Sequence, residues 1–175
     1  MRLFIAVDLS DELRERINEV LELVGKFKGV KPVEKENLHI TLMFLGEVPD
    51  RRVEVIKGML KTVKMEPFKL HLKGIGFFPS ASQARVIWVG VEEGKDEISK
   101  LADLIESSMK KIGFKRDKDF VAHATIARVK SITAEDRRKL MKALEPWLEE
   151  DFGSKAFINF LLSSAVILLT LAIVA

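Results

Sequence analysis

The chain has 175 residues, a formal net charge of +3 and no cysteine. Its length suits one domain with a single core, and the lack of cysteine excludes disulfides, thiol nucleophiles and zinc–thiolate sites. Three histidines are too few for a histidine-rich metal site, and the mild positive charge permits an anionic substrate without requiring one. Residues 1–9 contain a five-residue apolar run, which is too short for a secretory signal, so we expect a cytoplasmic protein.

The first half of the chain alternates β-like and helical segments. Residues 2–9 form an apolar β-like run, and Ser10 is a good helix N-cap because two acidic residues follow it. Apolar residues then recur at helical spacing up to Val24. Further on, we expect a strand over 38–45, a helix that begins at Asp50 and a strand over 69–78. The predicted order is β-α-β-α-β.

The second half repeats this order. A strand over 85–91 precedes a helix over 96–112, and a strand over 121–129 precedes a helix that Thr133 caps. We therefore predict an α+β fold of two β-α-β-α-β halves related by a pseudo-twofold axis. These halves form one domain over 1–155, with lobes at about 1–79 and 80–155.

Residues 156–175 carry no charge. Twenty apolar residues reach the length of a membrane-spanning helix, although no basic cluster follows them, which argues against a membrane anchor. The repeat places the last strand of the second half at 154–161, so the first part of this segment is expected to be a strand of the domain. Three interpretations stay open for the segment: buried strands or an apolar end packed on the domain, a tail anchor, and an altered terminus such as a shifted reading frame.

Two short motifs have the same chemistry: His39-x-Thr41 and His123-x-Thr125, which lie 84 residues apart. Residues i and i+2 of a strand share a face, so each histidine should face the same way as its threonine. One motif from each half would bring two imidazoles and two hydroxyls to one substrate, a set suited to metal-free acid–base chemistry on a phosphate. The core face of the two strands is expected to carry their apolar neighbours, which are Leu38, Ile40, Leu42 and Phe44 in the first and Ala122, Ala124 and Ile126 in the second.

Three further residues bear on a site. His71 has no threonine at i+2, and we expect it to be an exposed strand residue without a catalytic role. Arg128 follows Thr125 by three residues and is the cationic candidate for phosphate binding. Strict alternation places Arg128 on the core face, so it reaches the site only if the strand ends or bulges there. Phe78 either stacks on a base or packs in the core.

In their sequence context the motifs resemble the 2H phosphoesterase superfamily, and in particular the RNA 2′,3′-cyclic phosphodiesterases historically called 2′-5′ RNA ligases. The resemblance lies in MRLFIAVDLS, ENLHITLMFLGEV, RVIWVGV and FVAHATIARV, and it extends over residues 1–153. It implies a bilobal α+β fold, with mainly antiparallel sheets, in which each lobe contributes one motif to a central groove. The chain departs from the family after Gly153, where the usual strand, Ser/Pro/Gly loop and last strand are not recognisable.

The resemblance also implies a function. His39 and His123 would be the catalytic acid–base pair and Thr41 and Thr125 the phosphate ligands, with His123 as the base on water and His39 as the acid, or the reverse. Water would open an RNA 2′,3′-cyclic phosphate end, or a cyclic nucleotide, to a 2′-phosphate without a cofactor or metal, and the enzyme would be a monomer capable of weak reversible 2′-5′ ligation. The alternative is a nucleotide- or RNA-binding domain of this fold without turnover, which the two complete motifs argue against.

Overall fold

The computed structural model describes residues 1–156 and 166–170, and within them eight strands and four α-helices alternate in two similar series. The first series is β1 (Arg2–Asp8), α1 (Asp11–Gly25), β2 (Val30–Pro32), β3 (His39–Glu47), α2 (Val53–Leu60) and β4 (Lys69–Phe78). The second is β5 (Val86–Val91), α3 (Lys95–Lys110), β6 (His123–Val129), α4 (Ala134–Leu144) and β7 (Asp151–Ala156), and β8 (Val166–Thr170) follows it. The predicted α+β order is confirmed in both halves, with the short strand β2 as an addition.

The helices begin where the sequence provides caps. The Ser10 side chain accepts a hydrogen bond from the backbone N–H of Leu13 at the start of α1, and the Thr133 hydroxyl accepts one from the N–H of Asp136 at the start of α4. Such caps satisfy backbone donors that a helix leaves free. The helix predicted from Asp50 begins at Val53, because residues 50–52 first form a 3₁₀ turn.

All eight strands belong to one antiparallel sheet, in the order β7-β4-β5-β6-β3-β1-β8, with β2 paired to β6. The two motif strands, β3 and β6, are neighbours at its centre. Helix α1 packs on β2, β6 and β7, and α3 packs on β3. The side chains that face the helices are buried, whereas those on the other side of β3 and β6 are half-buried or exposed. We refer to this second side as the open face.

Strand β7 pairs with β4 from Lys69 opposite Ala156 to Lys73 opposite Asp151, so the last strand of the second half begins at residue 151 rather than at 154. The rest of the predicted strand, residues 157–161, lies outside the described residues. Residues 166–170 form β8 and pair with β1, which fits the interpretation that the apolar segment adds strands to the domain. Within the part of the chain that the structure describes, no helix is long and apolar enough to cross a membrane.

Candidate active site

The two His-x-Thr motifs lie side by side at the junction of β3 and β6. Ile40 pairs with Ala124 across the two strands, and both side chains are fully buried in the core. Residues on either side of such a pair point to the opposite face of the sheet. The antiparallel register therefore brings four half-buried residues together on the open face, His39 opposite Thr125 and Thr41 opposite His123.

Both imidazoles are oriented in the same way by the backbone two residues before them. The Nδ1 atom of His39 lies 2.6 Å from the carbonyl oxygen of Asn37, and that of His123 lies 2.7 Å from the carbonyl oxygen of Val121. Because a carbonyl oxygen only accepts hydrogen bonds, each Nδ1 carries the proton and Nε2 is the basic nitrogen of the neutral ring. The Nε2 atom of His39 lies 3.1 Å from the Thr41 hydroxyl, which donates to it when the ring is neutral.

The surroundings of the two rings favour the neutral form. Burial lowers the pKa of His39 below its ordinary value of 6.5, although the Asn37 carbonyl and the Asp8 carboxylate act in the opposite direction. The positive charges of Arg14 and His123 add to the lowering. Burial likewise lowers the pKa of His123, and the hydrogen bond to the Val121 carbonyl raises it by less. Both pKa values therefore lie below 6.5, so the neutral form of each ring predominates at pH 7.

Aromatic side chains account for much of this burial. Phe4 lies 4.8 Å from the His39 ring, measured between ring centroids, and Trp88 lies 6.0 Å from the His123 ring. Phe78 meets His123 edge-on at 5.0 Å and lies 5.1 Å from Trp88. Phe78 is half-buried, so it belongs to the wall of the site rather than to the deep core.

Neither Phe4 nor Trp88 was predicted as a site residue. They lie 84 residues apart, as the two histidines do, so the internal repeat indicates an aromatic residue at the same position beside each histidine. The indole of Trp88 lies over Gly76, its partner on β4, and a Cβ atom at Gly76 would overlap the ring. A glycine on β4 therefore allows the ring beside His123 to occupy its position.

Arg128 reaches the open face because β6 bulges. In the pairing with β5, Ile87 lies opposite Ala127 and Trp88 opposite Thr125, which leaves Ile126 without a partner. Ile126 and Ala127 are both fully buried, so the alternation resumes one residue late and Arg128 is exposed on the side of Thr125. The core-face position expected from strict alternation is wrong, and the bulge is the physical reason.

The same irregularity occurs in β3 and corrects a second expectation. Ile5 pairs with Met43 and Ala6 with Thr41, which leaves Leu42 as the extra residue. Phe44, expected in the core, is 59% exposed on the open face as a result. Its position in β3 corresponds to that of Arg128 in β6, so the open face has an aromatic residue at one end and a cation at the other.

The prediction that His71 is an exposed strand residue is also wrong, because its side chain is largely buried. Its side chain is only 18% exposed, with Nδ1 2.8 Å from the Ser154 hydroxyl and Nε2 2.9 Å from the Asp151 carboxylate. These contacts join β4 to its neighbour β7, away from the two motifs. His71 therefore has a structural role in joining these two strands.

A charged cluster flanks the His39 end of the site. Asp8 lies opposite His39 on β1 and forms an ion pair with Arg14, whose side chain is 17% exposed. Lys155 donates a hydrogen bond of 2.6 Å to the Asp8 carbonyl, and burial lowers its pKa. This end of the site thus contains two cations close to one carboxylate. Among residues 1–156 and 166–170, no cluster of three or more His, Asp or Glu side chains is placed to hold a metal ion.

The arrangement suits proton transfer on both sides of a bound anion. Two Nε2 atoms and two hydroxyls face a common surface, and the hydroxyls can donate to the oxygens of a phosphate. This geometry is the one that a paired acid and base would require.

Comparisons with known proteins agree with this geometry. A family model described as LigT-like phosphoesterase matches residues 7–88 and again 89–157, one match for each half. The RNA 2′,3′-cyclic phosphodiesterase of Archaeoglobus fulgidus is 41% identical over 95% of this chain and 92% of its own length. The protein of the same name from Methanocaldococcus jannaschii is 39% identical over 87% of this chain and 84% of its own.

Solved structures extend the similarity to the fold. The protein TT0787 of Thermus thermophilus superposes with a TM-score of 0.72 at 29% identity, over 89% of this chain and 84% of that one. Escherichia coli LigT complexed with 3′-AMP gives a TM-score of 0.69 at 28% identity, over 89% and 82%. With a family match over both halves and close relatives along nearly the whole chain, this protein belongs to the LigT-like phosphoesterase family of 2H phosphoesterases.

Proposed function

We propose that this protein hydrolyses the 2′,3′-cyclic phosphate ends of RNA to 2′-phosphates, without a metal ion, by paired histidine acid–base catalysis. The observation that carries the proposal is the register of β3 and β6, which brings both His-x-Thr motifs to one surface with each Nε2 as the basic nitrogen. The names of its relatives support the same substrate class, since they are RNA 2′,3′-cyclic phosphodiesterases.

The reaction is an in-line displacement at phosphorus. The Nε2 of His123 takes a proton from water, the water oxygen attacks phosphorus, and the bond from phosphorus to the 3′ oxygen breaks. The protonated Nε2 of His39 gives its proton to that oxygen, which leaves a 2′-phosphate and a 3′-hydroxyl. A 5′-hydroxyl that replaces water in this step would form a 2′-5′ linkage, so weak reversible ligation follows from the same groups.

One carboxylate distinguishes the surroundings of the two histidines. The carboxylate of Asp8 raises the pKa of His39, whereas His123 has no comparable acidic influence among the described residues. Burial and the positive charge of Arg14 act on the pKa of His39 in the opposite direction. Since burial lowers the pKa of both rings, the negative charge of the bound phosphate supplies the remaining stabilisation of the protonated His39.

The other proposed residues position the substrate. The hydroxyls of Thr41 and Thr125 donate to the non-bridging oxygens of the phosphate, and Arg128 stabilises their charge from the bulge of β6. Phe78, beside His123, supplies an apolar surface for a base or ribose. Those phosphate contacts need no metal ion.

The test is turnover of an RNA oligonucleotide with a 2′,3′-cyclic phosphate end in the presence of EDTA. We expect conversion to a 2′-phosphate end, and a loss on the order of 10²–10⁴ in rate for His39→Ala or His123→Ala. His71→Ala is the matched control, because His71 lies outside the site, and it should keep wild-type turnover. Activity that EDTA abolishes, or full activity in both site variants, contradicts the proposal. Binding of a nucleoside 2′-phosphate without any turnover would instead favour the non-catalytic alternative.

A further inference from the structure

A second cationic position lies on the open face beside the proposed catalytic residues. Lys31 of β2 is paired directly with Arg128 of β6, so the two side chains project from the same side of the sheet. Both are exposed, and neither has an ion pair or a side-chain hydrogen bond among residues 1–156 and 166–170. Like charges directly opposite each other across two strands are unfavourable. The pair therefore lowers stability unless an anion lies between them.

The register fixes how far this pair lies from the motifs. On β5, Val86 lies opposite Arg128, Trp88 opposite Thr125 and Val89 opposite Ala124. At about 3.4 Å per residue, the Lys31–Arg128 row is roughly 7 Å from the row of Thr125 and roughly 10 Å from the centre of the four motif residues. In a nucleotide chain, one ribose separates the phosphate at its 2′ and 3′ oxygens from the phosphate at its 5′ oxygen. The separation of these two phosphates is comparable with the distance between the motif residues and the Lys31–Arg128 row.

The scissile phosphate already has sufficient partners among the motif residues. Its two non-bridging oxygens meet two threonine hydroxyls, and the attacking and leaving oxygens each meet an imidazole. Arg128 can bind these oxygens from one side. Lys31 lies on β2, on the side of β6 away from β5, and is farther from the scissile phosphate than Arg128 is. A lysine ammonium is a compact point charge that binds phosphate without a fixed orientation.

We infer that Lys31, opposite Arg128, binds the phosphate on the 5′ side of the terminal nucleoside, and so selects nucleotide chains over a nucleoside cyclic phosphate. This inference rests on the proposed function. It identifies a phosphodiester, or a single 5′-phosphate, as the group recognised next to the reacting one. Both side chains are exposed and form no ion pair among the described residues, so the phosphate has no carboxylate to displace.

Two substrates that differ by one group test this directly. Adenosine 2′,3′-cyclic phosphate and its 5′-phosphorylated form have the same scissile group, and the ratio of their kcat/KM values isolates the contribution of the 5′-phosphate. We expect wild type to prefer the 5′-phosphorylated substrate by about tenfold, as one exposed charge-assisted contact gives. Lys31→Ala should bring the ratio close to one, and Lys31→Arg should keep most of the preference.

Lys100→Ala is the matched control, because Lys100 is an exposed lysine of α3 and its loss removes the same charge far from the open face. The control should keep the wild-type ratio. Equal use of both substrates by wild type overturns the inference, as does an equal loss on both substrates in Lys31→Ala. If wild type turns over neither substrate but opens a 2′,3′-cyclic phosphate end of RNA, the inference is overturned, because the 5′-phosphate alone then gives no recognition. If wild type turns over neither substrate nor the RNA, the proposed function itself fails, which is a different result.

Discussion

Replacing Gly76 by alanine tests how Trp88 is held against His123. The new methyl group would overlap the Trp88 indole, and the ring in turn contacts Phe78 and His123. Filling an already packed site in this way costs about 1–3 kcal/mol. Removing a glycine from a strand returns about 0.5–1 kcal/mol. The midpoints of these two ranges leave an expected net loss of about 1 kcal/mol in the free energy of unfolding.

Urea denaturation measures this loss, and a double-mutant cycle assigns it to the ring. In a Trp88→Leu background the overlap is gone, so Gly76→Ala should cost nothing there or stabilise slightly. Gly58→Ala is the matched control, since Gly58 lies in α2 with open space where its Cβ would be, and it should stabilise by about 0.5–1 kcal/mol. If Gly76→Ala is neutral in the wild-type background, or costs the same with and without Trp88, the reasoning about this contact is wrong.

Three other predictions concern charge. Arg128→Ala should raise KM and lower kcat/KM for a cyclic-phosphate RNA by about 10-fold or more, and Arg128→Lys should restore part of the loss in steady-state assays; unchanged kinetics would remove Arg128 from the site. Asp8→Asn removes a charge that raises the pKa of His39, so the alkaline limb of the pH profile of kcat should move to lower pH, and a shift to higher pH contradicts His39 as the acid. The pKa values of His39 and His123 are lowered in the folded protein, so the unfolded chain binds protons first as the pH falls below about 6.5 and the folded state loses stability. Urea denaturation between about pH 7.5 and about pH 5 should therefore show a smaller loss of stability in a His39→Gln, His123→Gln variant than in wild type. An equal loss in both proteins would contradict the lowered pKa values.

Much of the fold was readable from periodicity. The helical spacing of Leu13, Ile17 and Val24 predicted the buried face of α1, and Ser10 marked its start. The alternation in both motifs predicted that each histidine and its threonine share a face, as the burial patterns of β3 and β6 have it. These features depend on the spacing of neighbouring residues along the chain, which can be seen in the sequence itself.

The errors arose where the structure departs from strict alternation or depends on pairing. The bulges in β3 and β6 move Phe44 and Arg128 to the open face, and neither carries a glycine or proline that would mark it in the sequence. The role of His71 depends on partners on another strand, and its contact with Ser154 spans 83 residues of sequence. The short strand β2 exists through its pairing with β6, which no local pattern indicates.

The most direct measurement of the central claim is the titration of the imidazole nitrogens by ¹⁵N NMR, in the free protein and with a nucleoside 2′-phosphate bound. At about pH 7.5 we predict that His39 and His123 are both neutral with the proton on Nδ1, and that the nucleotide shifts the Nε2 signals of both rings together while those of His71 stay in place. A ring with its proton on Nε2, or a nucleotide that perturbs only one of the two histidines, would contradict two imidazoles that act on one phosphate.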